Sequence, residues 1–138
     1  MGWGKWLKFL ISTIGELPNL ILSHSPSFLI IMARKIEQQM NEAILNRKDW
    51  HKANTRVEYE QGNCISRVYL HGNKIAEVGD NFIRLFDGGW RSVTTKSRLN
   101  AILRGNGNGT EGVYQRNYQW YISHDGTEEE FVSGMILY

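Results

Sequence analysis

Between Asn54 and Gly89 the chain alternates in polarity and carries a glycine-bearing turn at positions 62, 72, 79 and 88. No other feature narrows the possible folds so far. Thr55, Val57 and Tyr59 alternate with Arg56, Glu58 and Glu60, the two-residue period of a half-buried strand. Gln61-Gly62-Asn63 leads into a second run, Ile65 to His71; His71-Gly72-Asn73 into a third, Lys74 to Val78; and Gly79-Asp80-Asn81 into a fourth, Phe82 to Phe86, ended by Asp87-Gly88-Gly89. A parallel crossover needs a dozen or more residues, and none of these connections has them. Each strand must pair with the one before it, which predicts an antiparallel meander of about four strands.

The flanks carry a different period. Ile36, Met40, Ala43, Ile44 and Arg47 recur at about 3.6 residues, predicting an amphipathic helix over Ala33 to Lys48. After the meander, a Thr94 or Thr95 hydroxyl is placed to cap a second helix whose Leu99, Ile102 and Leu103 share a side, with Gly105 stopping it. Asn106 to Gly109 lacks any apolar residue and reads as an exposed loop. Val113 to Ser123 reads as one long strand with Tyr114, Arg116, Tyr118, Trp120 and Ile122 on one side and Gln115, Asn117, Gln119 and Tyr121 on the other. His124 to Glu130 reads as an acidic turn and Phe131 to Tyr138 as a last strand. The expected class is therefore α+β: an N-terminal amphipathic helix, the meander, one helix, then two more strands.

Residues 1–31 stand apart from a single α+β domain over 32–138. They hold three charges, Lys5, Lys8 and Glu16, amid apolar clusters. Glu16 cuts short the apolar run a signal peptide needs, and the uncharged window Leu17 to Ala33 contains Pro18, Asn19, His24 and Pro26 and sits at the lower limit for crossing a bilayer. A membrane-spanning helix is the lesser reading of this appendage, and two others stand beside it. Trp3, Trp6, Phe9 and Leu10 form an interfacial face beside the two lysines, or translation begins at Met32, where Met32-Ala33-Arg34-Lys35 opens the charged, periodic part. A hydrophobic fraction of 41% excludes wholesale disorder, and one cysteine, Cys64, excludes a disulfide scaffold. A net charge of +2 is too small to name a partner by itself.

The run NTRVEYEQGNCISRVYLHGNKIAEVGDNFIRLFDGGWRSVTTKSRLNAIL, Asn54 to Leu103, followed by GVYQRNYQWYIS, Gly112 to Ser123, resembles a family of small tailed-phage (cyanophage-like) proteins of unknown function. Its most specific pieces are LHGNKIA at Leu70 to Ala76, GGW at Gly88 to Trp90 and TTKSRLNAIL at Thr94 to Leu103. The resemblance implies a viral protein working in the host cytoplasm; it carries over no catalytic residue, and it does not extend before Met32.

Candidate binding residues gather around the second helix. Trp90, Arg91, Lys96, Arg98 and Arg104 precede the glycine-asparagine loop, and Arg116, Tyr118 and Trp120 follow it. From Arg91 to Thr110 there are four basic residues and no acidic one. The helix start at Thr94, Thr95 and Lys96 would meet phosphate, and the aromatics would stack bases at about 1–3 kcal/mol each. The competing reading makes Trp90 and Trp120 core, Thr95 a cap and the cations a solvated face. His71 and Asn73 offer a general base and a donor, but hairpin chemistry explains them equally. His24, His51, His71 and His124 match no zinc spacing, so no metal and no cofactor are expected. Gly105 to Gly109 lacks the ending of a phosphate loop and follows a helix, which makes it a linker. Asp125 and Glu128 to Glu130 read as a solvated tip, and Cys64 as an ordinary thiol.

The expected function is a small phage-encoded, non-enzymatic binding protein, of host-takeover or regulatory type, that holds nucleic acid or a nucleic-acid-handling host protein. Alternatives are a particle or assembly component that self-associates through a strand edge, and a small hydrolase or nuclease using His71. Membrane contact is expected only through residues 1–31, and the oligomeric state stays open.

Overall fold

The computed structural model describes residues 26–138; the readings placed on earlier residues lie outside the described ones. The chain divides into two compact units, Met1–Gln38 and Gln39–Tyr138, and both sheets and the second helix belong to the latter. Helix α1 (Pro26–Leu45) runs unbroken through the expected boundary at Met32 and ends before the expected Lys48. Its stop carries no glycine. Arg47 takes a left-handed φ of 54°, its amide donates to the Ile44 carbonyl, and the Lys48 amide donates to Ala43, the paired bonds that close a helix C-terminus.

Six strands form an antiparallel sheet in the order β1-β2-β3-β4-β5-β9. They are β1 (Trp50–Lys52), β2 (Thr55–Glu60), β3 (Ile65–Leu70), β4 (Asn73–Val78), β5 (Ile83–Leu85) and β9 (Met135–Leu137). The expected meander of four is thus a meander of five closed by the C-terminal strand. The period-two pattern does what it demands. Trp50, Val57, Val68, Ala76, Leu85 and Met135 stand opposite one another in a single row across all six strands. Glu58, Arg67, Glu77, Arg84 and Ile136 make the neighbouring row on the other face. The apolar row joins Met40, Ala43 and Ile44 of α1 and Leu99, Ile102 and Leu103 of α2 (Val93–Asn106) in one core. On the charged face, Glu77 lies within ion-pair distance of Arg67, Lys74 and Arg84.

Helix α2 is capped by Ser92, not by Thr94 or Thr95: the Ser92 hydroxyl accepts the Thr95 amide at 3.1 Å. It also continues past Gly105 to Asn106, with Gly107 closing it by an amide bond to the Leu103 carbonyl.

The expected strand Val113–Ser123 is two strands. β6 (Gly112–Arg116), β7 (Gln119–His124) and β8 (Thr127–Glu130) form a second antiparallel sheet. Asn117 and Tyr118, at φ 51° and 64°, make a two-residue turn between β6 and β7. That turn resets the alternation. Trp120 and Ile122 join Val113 in the core, whereas Gln119 and Tyr121 fall on the outer face with Tyr114 and Arg116. The expected acidic turn at Glu128–Glu130 is strand β8, and only Met135–Leu137 of the expected last strand is strand, so four strands follow α2 in place of two.

Candidate functional site

The segment between β5 and α2 is a heavily bonded turn, and it presents the most exposed tryptophan among the described residues. Gly88 and Gly89 take φ 68° and 82°, conformations that side chains resist. A Cβ on Gly88 would also stand 3.2 Å from the Ile75 methyl. The Asp87 carboxylate accepts the Gly89 amide at 2.9 Å and the Arg91 Nε at 3.2 Å, and the Asp87 amide donates to the Ser133 hydroxyl. Partial burial works to raise the Asp87 carboxyl, but the Gly89 amide, the Arg91 guanidinium and Ser133 together hold it below its ordinary value. The Trp90 amide donates to the Asp87 carbonyl, and the Trp90 carbonyl accepts both the Ser92 amide and the Thr95 hydroxyl. With its backbone tied on both sides, Trp90 leaves 75% of its surface in solvent. An indole of that size leaves about 4 kcal/mol of burial unused at 25 cal/mol/Å².

Arg91 turns inward from the same segment. Its guanidinium carbon lies 5.7 Å from the Trp120 ring centre and 5.5 Å from that of Phe131, and its Nη2 donates to the Phe131 carbonyl. Trp120 and Phe131 are buried edge to face at 5.5 Å. Exposed apolar residues flank the segments that form this hub: Trp90 next to Arg91 in the chain, Val93 at the start of α2, Val132 next to Phe131, and Tyr118 two residues before Trp120. Sequence reasoning missed Val93 and Val132, since an isolated valine carries no signal of exposure.

The sequence-predicted residues therefore separate. Trp90 and Tyr118 are exposed, whereas Trp120 is core. Arg98 is buried, its Nε donating to the Thr55 hydroxyl at 3.1 Å and its Nη2 to Asn54, so it joins α2 to β2 and faces no ligand. Lys96 is half-buried and Arg104 exposed on α2.

Arg116 belongs to the outer face of the small sheet. It lies 4.6 Å over the Tyr121 ring and pairs with Glu128 at 3.1 Å. The neighbouring Tyr114 and Tyr121 rings stack at 5.8 Å. Burial, then the Glu128 carboxylate, push the Tyr114 hydroxyl up, and the Tyr114 hydroxyl and Arg116 hold Glu128 down.

The remaining candidates carry little chemistry. His71 and Asn73 are exposed, with His71 at φ 51° in a two-residue turn beside Gly72. Cys64 is half-buried at a left-handed turn position, its Sγ near the Gln61 carbonyl. The glycine-asparagine loop is tied down: the Asn108 and Gly109 amides donate to Glu111, and the Asn108 side chain to Asp125. A shallow hollow of about 370 Å³ beside it, lined by Phe82, Asn106, Asn108 and Tyr138 among others, has the Asn108 amide donating to the Tyr138 hydroxyl at its rim. Among the described residues no group of His, Cys, Asp or Glu side chains is arranged to hold a metal ion, and no helix is long and apolar enough to cross a membrane.

Comparison with curated proteins returns no match, and comparison with solved structures returns none. A sequence model of the family described as Kyanoviridae Gp96 protein matches residues 33–138, the span that contains α2 and every described strand. The phage resemblance read from the β2-to-α2 run thus holds over a longer stretch than the motifs that first carried it, and the chain belongs to the Kyanoviridae Gp96 family.

Proposed function

We propose that this phage protein is a non-enzymatic binding module whose contact surface is the Trp90 turn with Val93, Val132 and Tyr118, and that it engages a protein. The carrying observation is Trp90 itself, exposed on a backbone fixed by bonds from Asp87, Ser92 and Thr95. On a fixed backbone the indole has only two side-chain torsions to lose when it is covered, and tryptophan is among the residue types enriched as anchors of protein interfaces.

Nucleic acid fits this surface less well. Of the cations in the expected basic cluster, Arg98 is buried, Arg91 is paired with Asp87 and Arg116 with Glu128. Lys96 and Arg104 remain, and two phosphate contacts change log K by less than about 2 per decade of salt, against the 6–10 contacts of strong non-specific binders. Assembly through a strand edge also finds little support in the small sheet. The Asn100 side chain bonds both the amide and the carbonyl of Val113 at 2.8 Å, occupying the outer side of β6 at that residue, and β8 is lined by glutamates.

The test is a photo-crosslinking phenylalanine analogue in place of Trp90, expressed in infected host cells, with the same analogue at exposed His51 as the control. A protein adduct specific to position 90 is expected. An adduct to nucleic acid, or equal labelling from both positions, rejects the reading.

A further inference from the structure

Resting on that reading, we infer that the partner presents an acidic surface around the pocket that takes the indole. Along α2, Val93, Ser97 and Arg104, at helical spacing i, i+4 and i+11, share one side with Lys96 beside them, while Asn100 between them is turned onto β6. From Gly88 to Thr110 the chain has no acidic residue. The arginines of the large sheet and its edges, and Arg116, are paired within the fold: Arg47 with Asp80, Arg56 with Glu58, Arg67 with Glu60, Arg84 with Glu77 and Arg116 with Glu128, while Lys48 just before β1 and Lys52 within it are not among the pairs. Lys96 and Arg104 meet no carboxylate among the described residues. This side of α2 thus sets two cations without a carboxylate partner among the described residues, Lys96 and Arg104, beyond the apolar anchor. Interfaces are built as an apolar centre with a polar rim, and a rim of one sign selects a partner of the other.

Within the chain's own acidic strand only Glu128 is paired with a fixed cation, Arg116, whereas Glu129 meets His124 and Glu130 meets the neutral Gln119. The occupant is an acidic protein other than this chain, and a concentration-dependent self-association that the α2 reversal abolishes would overturn that.

The experiment uses the full chain, immobilised and exposed to nuclease-treated lysate of the phage's host, with captured protein identified by mass spectrometry and then purified for affinity measurement. The variants are Trp90→Ala, the double reversal Lys96→Glu/Arg104→Glu, and Lys48→Glu/Lys52→Glu as a control of equal charge. One captured protein is expected to be lost with Trp90→Ala, weakened about tenfold by the α2 reversal and indifferent to the control. Lysine in place of an acidic residue of that protein is expected to restore binding to the α2 reversal. If Trp90→Ala abolishes capture but the α2 reversal binds like wild type, the acidic partner is rejected and the Trp90 surface stands. If Trp90→Ala binds normally, or if nothing survives nuclease, both fall.

Discussion

At Tyr118 the backbone holds φ at 64°, in a turn position that ordinarily favours glycine, and the ring is 96% exposed. A left-handed non-glycine residue costs about 1–2 kcal/mol, and glycine returns part of that gain as unfolded-state entropy. Tyr118→Gly is therefore expected to raise stability by roughly 0.5 kcal/mol, read from urea unfolding; a loss of stability would show that the ring contributes to the fold. Asp87 makes the opposite case, a charge spent on positioning its neighbours. Its folded value lies below the ordinary 3.8, so its stabilisation is complete above that value and is lost as pH falls through the folded one. Asp87→Asn is expected to cost about 1–2 kcal/mol at neutral pH, with the difference from wild type shrinking below about pH 4. Denaturant midpoints measured across that range decide it, and a constant difference would remove the carboxylate from the account.

Among the elements, α2 and β6 are joined by a side chain acting as a strand. Asn100 donates to the Val113 carbonyl and accepts its amide, the same pair of bonds a neighbouring strand would make. Asn100→Ala leaves both groups unpaired at a cost of about 2 kcal/mol and opens β6 to another chain. Faster exchange of the Val113 amide and a concentration-dependent sedimentation coefficient are the expected readouts; protection equal to wild type would mean that water serves as well. Within the meander, element boundaries were legible where glycine marked them, though Gly105 lies inside α2 rather than at its end. The turns at Gly62, Gly72, Gly79 and Gly88 lie where the sequence places them, but Arg47, Ala53, Cys64, Asn117, Tyr118 and Asp125 also take left-handed conformations. Each of the last four was read correctly or not according to its neighbours: Gln-Gly-Asn beside Cys64 and Gly126 after Asp125 announce a turn, whereas Asn117-Tyr118 looks like continuing strand. Strand β1 was missed because it is three residues long and its turn, Ala53-Asn54, carries no glycine.

Across the whole domain, Arg98 ties the helix to the large sheet from inside the core. Replacing it with alanine removes the partner of Thr55 and Asn54 and leaves a void, so Arg98→Ala is expected to cost about 2–4 kcal/mol. A chemical denaturation series measures this, and a change below about 0.5 kcal/mol, typical of surface substitutions, would return Arg98 to the exposed set. By itself the amino-acid sequence determined the α+β class, the antiparallel order of β2 to β5, the amphipathic helix and the phage family. All of these follow from local periodicity, short connections and contiguous motifs. The tertiary structure decided which cations are free, which tryptophan is exposed, and which face of the small sheet is aromatic. These depend on contacts between residues distant in the chain: Arg98 with Thr55, Arg91 with Phe131, Asn100 with Val113. A basic residue reads the same in sequence whether it meets water, a carboxylate or the core, and only the fold brings its partner to it.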